Sequence, residues 1–565
     1  MLKKILNHTD NTSPHYKWVA LSNTTLGMLL ATLNATSLVI ALPVIFRGIH
    51  INPLSSGSFS YLLWILLGYM LVSAIFVVSL GRLGDMYGRV RIYNLGFVIF
   101  TLAALGSGLA WSHGGAGALE IIGFRMIQAI GGAMLMANSA AILTDAFPAN
   151  QRGMALGINQ IAALAGSFLG ILVGGVLSQL SWRWVFLFNV PIGIIGAVWA
   201  YTALKEIDHF HPTKIDWLGN LSFALGLGSI LIAITYGIKP YRHSTMGWSN
   251  PFVIGLIIAG LIILGIFIFI EKRTKDPMFN LKLFKIRAFT AGNVASLLSA
   301  MSRGGLQFML IMWLQGIWLP LHGYSFTQTP LWAGIYMLPT TFGFLIAGPA
   351  SGILSDKYGA RPFATGGMIL AALSFVLMMT LPVNFPYSLF AIILLLNGLA
   401  FGLFSSPNTA GIMNSVPAEF RGVASGMRAT FMNVGMPLSI GIFFSLMIVG
   451  LTAKIPSSLY HGLVSNHVAP TLATNLSHLP AISYLFAAFL GYNPLKTLLG
   501  PKVLNHLPKV SASHLTSKQY FPQLIGGAFK HGLIIVLIFA TIASLVAALA
   551  SWLRGTKYVH EESQV

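Results

Sequence analysis

Cysteine is absent from this chain of 565 residues, and charged residues make up only 8% of it. The absence of cysteine excludes disulfides, thiolate metal sites and thiol nucleophiles. A soluble domain carries about 25% charged residues, so the scarcity of charge excludes a water-exposed globule. Acidic residues are the scarcest charged type, with 13 Asp and Glu against 33 Lys and Arg.

The basic excess gives a formal net charge of +20, which in a soluble protein points to nucleic acid. Here the basic residues lie in short gaps between apolar stretches and form no stripe, so no nucleic-acid partner is expected. Hydrophobic residues make up 55% of the chain, and the mean hydropathy is +0.77. These values predict that the lipid bilayer surrounds most of the chain.

Apolar stretches long enough to cross a bilayer recur along the chain. About 20 apolar residues cross it as an α-helix, and we identify about fourteen such stretches. They predict an all-α, polytopic membrane protein. Their centres are Thr32, Met70, Ile99, Gly131, Gly166, Ile194, Gly228, Ala259, Phe308, Thr341, Leu373, Gly398, Pro437 and Thr541.

The basic residues also indicate the orientation. If the N-terminus is cytoplasmic, the inner gaps collect most of the Lys and Arg, whereas the short outer gaps hold only Arg47, Arg183, Lys239 and Arg242. This asymmetry predicts cytoplasmic N- and C-termini and a multi-pass protein of the cell inner (plasma) membrane.

One long segment, from about residue 451 to 530, escapes the membrane pattern and is expected to be an extracellular loop. Its apolar run Ile482–Tyr492 is too short to span a bilayer. The run is therefore either part of a plain structural loop or an amphipathic helix at the membrane interface.

Two motifs occur twice at nearly the same spacing. The turn after the second apolar stretch reads GRLGDMYGRVR (81–91), and the turn after the tenth reads GILSDKYGAR (352–361). Asp356 lies 271 positions after Asp85, and Arg421, in a second shared motif, lies 269 positions after Arg152. Such a duplication predicts two parallel six-helix bundles. We expect an N-terminal bundle at 1–205, two inserted helices with a cytoplasmic linker at 206–285, and a C-terminal bundle with the long loop at 286–565.

These motifs resemble those of the major facilitator superfamily, and within it the fourteen-helix drug/proton antiporter branch. The repeated Gly-x-Leu-x-Asp-x-x-Gly turn is specific to the superfamily, and the runs WRWVFLFNVPIG (182–193) and DWLG (216–219) are similar to that branch. The resemblance covers nearly the whole chain apart from the long loop. It implies a transporter, not an enzyme, with no cofactor and with two halves that rock.

The first turn motif is predicted to act as a latch. Its glycines allow two helix ends to approach closely, and Asp85 can accept hydrogen bonds at a helix start or pair with Arg89 or Arg91. The resemblance implies that the turn joins the two halves on the cytoplasmic side; alternatively, its basic charge only sets the topology. The predicted latch residues are Gly81, Asp85, Gly88, Arg89, Arg91, Asp356 and Arg361.

Arg125 lies five residues after Glu120, inside the fourth apolar stretch. A charge there costs about 2.5–3.5 kcal/mol unless it faces a partner or water, which marks it as functional. The resemblance implies that Arg125 and Gln128 take part in proton coupling. Glu120, Asp85 and Asp145 are the candidate proton carriers. The alternative is that Arg125 extends to the outer surface.

The fifth apolar stretch carries Gly166, Gly170, Gly174 and Gly175. Glycines four apart share one helix face and predict a close helix contact. The related antiporter motif has a proline after the second glycine, whereas this chain has Ile171, so the basis for a kink is removed. Packing without influence on the direction of transport is the alternative.

No acidic residue occupies the centre of an apolar stretch. Asn34 stands where the related branch commonly has an aspartate, and Arg303 lies 16 residues after Arg287, or about 24 Å along a helix. We therefore predict a cavity, lined by Arg125 and Arg303, that repels cations and favours neutral or anionic amphiphiles. Arg428 either lines it or extends inward. The other predicted cavity residues are Asn34, Gln307, Trp313 and Gln315.

No phosphate-binding loop of the Gly-x-x-x-x-Gly-Lys-Ser/Thr type occurs, so transport is coupled to a gradient or runs downhill. The sequence predicts a monomeric secondary transporter that works by alternating access. It is expected to export neutral or anionic amphipathic small molecules of the multidrug type, with protons as the coupling ion. The alternatives are an importer or uniporter of a metabolite or anion, and a receptor or scaffold that transports nothing.

Overall fold

The computed structural model describes residues 15–52, 57–148, 151–206, 216–242, 244–275, 277, 279–417 and 420–555. These residues form helices joined by short turns. The one β-type contact among them is an isolated bridge between Tyr241 and Ser244.

Fourteen helices in this part of the chain are long and apolar enough to span a membrane. Each contains one of the centres expected from the sequence, so the predicted all-α membrane fold is confirmed. Helical geometry satisfies every backbone hydrogen bond inside lipid. The helices are α1 (Tyr16–Gly48), α2 (Ser58–Tyr87), α3 (Arg89–Gly108), α4 (Gly114–Ala146), α5 (Arg152–Leu180), α6 (Trp184–Ala203), α7 (Trp217–Gly237), α8 (Pro251–Arg273), α9 (Arg287–Leu321), α10 (329–358), α11 (Ala360–Thr380), α12 (Tyr387–Asn414), α13 (Arg421–Val464) and α14 (Tyr520–Trp552).

Two of these helices change geometry along their length. The first part of α9 ends at Trp313, and a π-helical turn follows at Leu314–Trp318. In α10 the segments Thr329–Tyr336 and Leu338–Tyr358 meet at Met337. A π-turn changes which face of a helix the following side chains occupy.

The same helix pairs pack together in the two halves. In the N-terminal half (α1–α6), α1 packs on α5, α4 on both α2 and α3, and α3 on α6. In the C-terminal half (α9–α14), α9 packs on α13, α12 on both α10 and α11, and α11 on α14. These are the same pairs eight helices further along the chain. The fold therefore comprises two parallel six-helix bundles.

The two inserted helices pack on each other, and α7 also contacts α2 and α13. The Asp216 side chain accepts a hydrogen bond from Gly219 N at 2.8 Å, so the DWLG run is the N-cap of α7. The Asn250 side chain caps α8 in the same way, next to Pro251. Apolar side chains cover the outside of α8 and are exposed there, which suits contact with lipid.

We name the two sides of the bundle by their turns. The motif side carries the α2–α3 and α10–α11 turns, and the far side carries the α1–α2 turn and the α13–α14 connection. That connection is shorter than the predicted loop of 451–530, because α13 continues to Val464 and α14 begins at Tyr520. At 44 residues α13 is about 66 Å long, so it projects beyond a hydrocarbon core of about 30 Å.

The far-side connection folds into four short helices: Pro470–Ser477, Ala481–Phe489, Leu495–His506 and Lys509–Thr516. The second, which we call the plug helix, is almost fully buried in protein. The run is therefore a helix, as one of the two sequence alternatives predicted, but it packs inside protein. Its Phe486 ring lies 5.4 Å from Phe46 of α1, and its Phe489 ring lies 5.6 Å from Phe308 of α9. The plug helix therefore joins the two halves.

Candidate functional site

Arg125 of α4 is held in the middle of the N-terminal half and is only 2% exposed. One terminal nitrogen donates to Gln128 Oε1 at 2.8 Å and to Asn34 Oδ1. The guanidinium carbon lies 4.2 Å from the centre of the Tyr69 ring. Arg125 therefore does not extend to the surface, and its charge faces neutral oxygens and an aromatic face.

Glu120 lies apart from this group. Its Oε2 accepts a hydrogen bond from Ser112 N at 3.2 Å, at the start of α4. Within the described ranges no ion pair includes Glu120. The predicted coupling residues thus divide into a buried Arg125–Gln128 pair and a separate carboxylate nearer the far side.

A cavity of about 40 Å³, open on one side, lies within the C-terminal half. Arg303 of α9 and Arg428 of α13 both line this cavity. The alternative that Arg428 extends toward the cytoplasmic surface is therefore wrong. Among the residues that the structure describes, the lining includes no Asp or Glu. It consists of Ser296, Ser299, Ala300, Arg303, Phe344, Phe401, Phe404, Ser405, Asn408, Thr409, Arg428, Met432 and Met436.

The two cavity arginines have weak partners. The Arg303 guanidinium lies 5.1 Å from the Phe344 ring centre and 5.7 Å from that of Phe401. Arg428 donates one hydrogen bond, to the Met432 sulfur at 3.0 Å, and its Nε has no acceptor. Neither arginine forms an ion pair with any residue that the structure describes.

A third arginine lies behind the cavity wall. Arg554, just beyond α14, is 6% exposed and donates to Asn408 Oδ1. Burial lowers the pKa of its guanidinium to about 10. The Asn408 amide in turn donates to Ser296 Oγ at 2.8 Å. Sequence reasoning missed Arg554, because an arginine directly after an apolar stretch looks like an ordinary tail charge.

The remaining predicted cavity residues do not converge on this site. Asn34 contacts Arg125 in the other half, and Gln315 donates to Ile40 O at 3.2 Å on the far side. Trp313 packs against Phe385 at 4.8 Å between ring centres. The prediction that Trp313 lines the cavity is therefore wrong. Trp313 lies ten residues after Arg303, which places it about 80° around the helix from Arg303. Gln307 is half-buried on the Arg303 side of α9, and its role stays a prediction.

The structure thus places Arg125 and Arg303 in different halves, in different surroundings. Arg125 already has neutral oxygen partners in a closed site, whereas Arg303 shares a cavity with Arg428. The single cavity expected from the sequence is replaced by a C-terminal cavity with two arginines.

The glycines of α5 form the expected close contact. Added Cβ atoms at Gly166, Gly170 and Gly174 would overlap atoms of α1. Gly175 instead faces α10, where an added Cβ would lie 2.8 Å from Leu331 Cα. Ile171 likewise lies against Gly334 of α10. One face of α5 therefore holds α1, and the next face contacts the other half.

The first turn motif forms an ion-pair cluster. Arg89 binds Asp85 at 2.7 Å and Asp145 of α4 at 2.6 Å. Gly88 has φ +108°, and the turn brings Glu206 to the first N–H groups of α3, with the Arg91 N–H donating to it at 3.1 Å. The cluster fastens α2, α3 and α4 of one half.

The remaining predicted latch residues make different contacts in the two copies of the motif. Gly81 packs against Ala137 of α4, and Val78, three residues earlier, faces Gly426 of α13. In the second copy of the motif, Arg361 stacks 3.7 Å from the Trp552 ring. The Asp356 side chain lies outside the described residues. A latch between the halves stays a prediction.

On the far side, several contacts join the halves. These are the plug helix, the Gln315–Ile40 bond, the Gly175–Leu331 contact, and a hydrogen bond of 3.3 Å from Arg47 of α1 to Phe326 O. The far side is therefore closed in this structure.

A family model described as the Major Facilitator Superfamily matches residues 24–270 and 215–440. The chain belongs to the Major Facilitator Superfamily. It is therefore a multi-pass membrane transporter of small molecules and not an enzyme. Fourteen helices and relatives named as multidrug transporters are consistent with the drug/proton antiporter branch.

Relatives within the superfamily span most of the chain. The riboflavin transporter RibZ of Clostridioides difficile is 31% identical over 473 residues, which cover 83% of this chain and 95% of the relative. The multidrug transporter protein MdtP of Bacillus subtilis is 27% identical and covers 91% and 90%. A solved peptide transporter of the POT type shares the superfamily fold, with a TM-score of 0.57, 14% identity, and coverage of 89% and 98%.

Proposed function

We propose that this transporter exports neutral or anionic amphipathic small molecules from the cell in exchange for protons. In this proposal the motif side is cytoplasmic, both termini lie in the cytoplasm, and the protein acts as a monomer in the plasma membrane. Relatives named for multiple drugs and for riboflavin support small organic substrates. The basic residues at the motif side support the orientation.

The charge of the interior indicates which class of substrate the transporter accepts. Arg125, Arg303 and Arg428 lie well inside spanning helices, and no described acidic residue lies at the centre of one. A positive interior repels cations and attracts anions or polar neutral molecules. Cationic dyes are therefore poor substrates in this account.

For proton coupling, the candidates are Glu120, Asp85 and Asp145. Asp85 and Asp145 share Arg89, so protonation of either carboxylate weakens one of the two ion pairs. Loss of an ion pair loosens the connection among α2, α3 and α4. Alternating access then requires the far-side contacts to open as the motif side closes.

The test is a flux assay with purified protein in liposomes. An imposed pH gradient should drive uptake of amphipathic carboxylates and amides, with proton movement reported by a pH-sensitive dye inside the vesicles. An ionophore that collapses the gradient should stop accumulation. Strict preference for cations, or accumulation that ignores the gradient, would overturn the proposal.

A uniporter of organic anions is the second candidate, and the arginine-lined cavity favours it. The same assay separates the two functions. A uniporter would move the carboxylate to equilibrium without a change in the internal dye signal, whereas an exchanger would move protons with each substrate.

A further inference from the structure

We propose that the C-terminal cavity binds the oxyanion group of an amphipathic organic anion between Arg303 and Arg428. The inference deepens the substrate class of the proposed function and rests on it for its role in transport. It adds a site within one half, its two charged residues and the chemistry of its ligand.

Arg303 and Arg428, both half-buried, have no counter-charge among the described residues. Buried charges in proteins are normally paired or bound by several hydrogen bonds, because desolvation is costly. Arg303 has two aromatic faces and Arg428 has one thioether, which are weak substitutes. A carboxylate from a ligand would supply the missing partner through charge-assisted hydrogen bonds.

The backbones of Arg303 and Arg428 are fixed relative to each other. Close contact holds α9 against α13: Gly305 N donates to Ser439 Oγ at 2.8 Å, and an added Cβ at Gly304 would lie 3.2 Å from Met436 Cα. The contact therefore fixes the spacing of the two arginine backbones, and both side chains line one cavity. Such preorganisation lowers the cost of binding an anion.

The mixed wall selects an amphiphile over an inorganic ion. Serines and Asn408 line the cavity together with the rings of Phe344, Phe401 and Phe404. While the carboxylate reaches the arginines, an aromatic or alkyl body can extend along the rings through the open side of the cavity. Arg554 supports the polar side chains of the wall. It donates a hydrogen bond to Asn408, and Asn408 donates one to Ser296.

The test is equilibrium binding to the purified, full-length protein in detergent. The probes are naphthoate, naphthamide and naphthylmethylamine, which share one aromatic body and differ in charge. We expect the wild type to bind naphthoate about 10-fold or more tightly than naphthamide, and the amine most weakly. Salt should weaken naphthoate binding alone.

Variants then assign the site. Arg303→Gln and Arg428→Gln should each weaken naphthoate binding about 10- to 100-fold while naphthamide binding changes less than about twofold. Arg273→Gln is the matched control, because Arg273 also stacks on a phenylalanine, 4.1 Å from the Phe269 ring, but lies exposed at the end of α8. The control should bind naphthoate as the wild type does.

Equal wild-type affinity for the three probes would overturn the inference, as would naphthoate binding that survives both arginine substitutions. If a variant cannot be purified, the wild-type ratio of naphthoate to naphthamide decides. The proposed function can fail separately from the anion site. Naphthoate binding without gradient-driven flux would support the site and overturn proton exchange. Gradient-driven flux with no preference for the anion would support proton exchange and overturn the site.

Discussion

The two halves of this transporter use the same duplicated positions differently. Arg303 lies 269 positions after Asn34, and Arg428 lies 269 positions after Asn159, the spacing that also separates Arg421 from Arg152. The N-terminal half thus has asparagines where the C-terminal half has arginines. Asn34 accepts a hydrogen bond from Arg125, and Asn159 donates to Ser139 Oγ at 2.9 Å.

This difference divides the work between the halves. In the N-terminal half, neutral side chains surround one arginine, and α1 and α5 pack without a gap. In the C-terminal half, two arginines face a cavity and keep their charges available. Selectivity for anions is therefore expected to depend on the C-terminal half, and the stability of the buried polar group on the N-terminal half. The variants below test that division, from the largest expected change in stability to the smallest.

Separating α1 from α5 should break the N-terminal site altogether. In Gly170→Leu the new side chain would overlap Leu33 O and Thr36, next to Asn34. Overpacking of this kind costs about 1–3 kcal/mol or more, so we expect a large loss of folded protein in detergent, measured by size-exclusion yield. Gly157→Ala on the same helix is the control, because nothing lies near an added Cβ there. Equal yields would contradict the close contact.

Removing an arginine from each half should have opposite effects on stability. Arg125→Ala leaves the oxygens of Asn34 and Gln128 without their donor, at a cost of about 1–3 kcal/mol. Arg303→Ala removes a half-buried charge with weak partners, so stability should stay the same or rise. The thermal unfolding midpoint of each variant in detergent measures this. A larger loss for Arg303→Ala than for Arg125→Ala would refute the comparison.

Asn34→Asp should stabilise the N-terminal half without changing the substrate charge that the transporter prefers. The new carboxylate would pair with Arg125 through charge-assisted hydrogen bonds and add about 1 kcal/mol of stability. The gain requires the ionised carboxylate, so it should be present near neutral pH and lost in acid, where the carboxyl is protonated. A pH series of unfolding midpoints checks the sign. Transport of cations by this variant would show that residue 34 sets the substrate charge.

The motif side should show the smallest change in stability. In Asp85→Asn, Arg89 keeps Asp145, and the paired side chains are partly exposed, so the loss should stay below about 1 kcal/mol. If the turn acts as a latch, transport should nevertheless fall several-fold while membrane insertion is unchanged. Asp145→Asn is the matched comparison within the same cluster. Wild-type flux in Asp85→Asn would remove the latch.

Much of the fold could be predicted because lipid imposes strong local rules. Length and hydropathy located the fourteen helices, and the spacing of two motifs located the duplication. The glycines of α5 predicted a close contact because residues four apart share a face. Each of these inferences needs only the local sequence and one general constraint.

The site was harder to predict, because the direction of a side chain depends on distant neighbours. The apolar run at Ile482 left a loop and an amphipathic or interfacial helix open, yet its phenylalanines pack on rings of α1, α2 and α9 that no local pattern identifies. Trp313 was expected in the cavity wall, but it packs against Phe385 instead. Arg554 gave no signal at all, since its burial depends on α12.

The most direct measurement is a cryo-electron microscopy map of the wild type with iodonaphthoate, a heavy-atom-labelled aromatic carboxylate. The account predicts density in the C-terminal cavity, with the carboxylate between Arg303 and Arg428 and the iodinated ring against Phe344, Phe401 and Phe404. Density beside Arg125, or both cavity arginines turned toward acidic residues with no ligand bound, would contradict it.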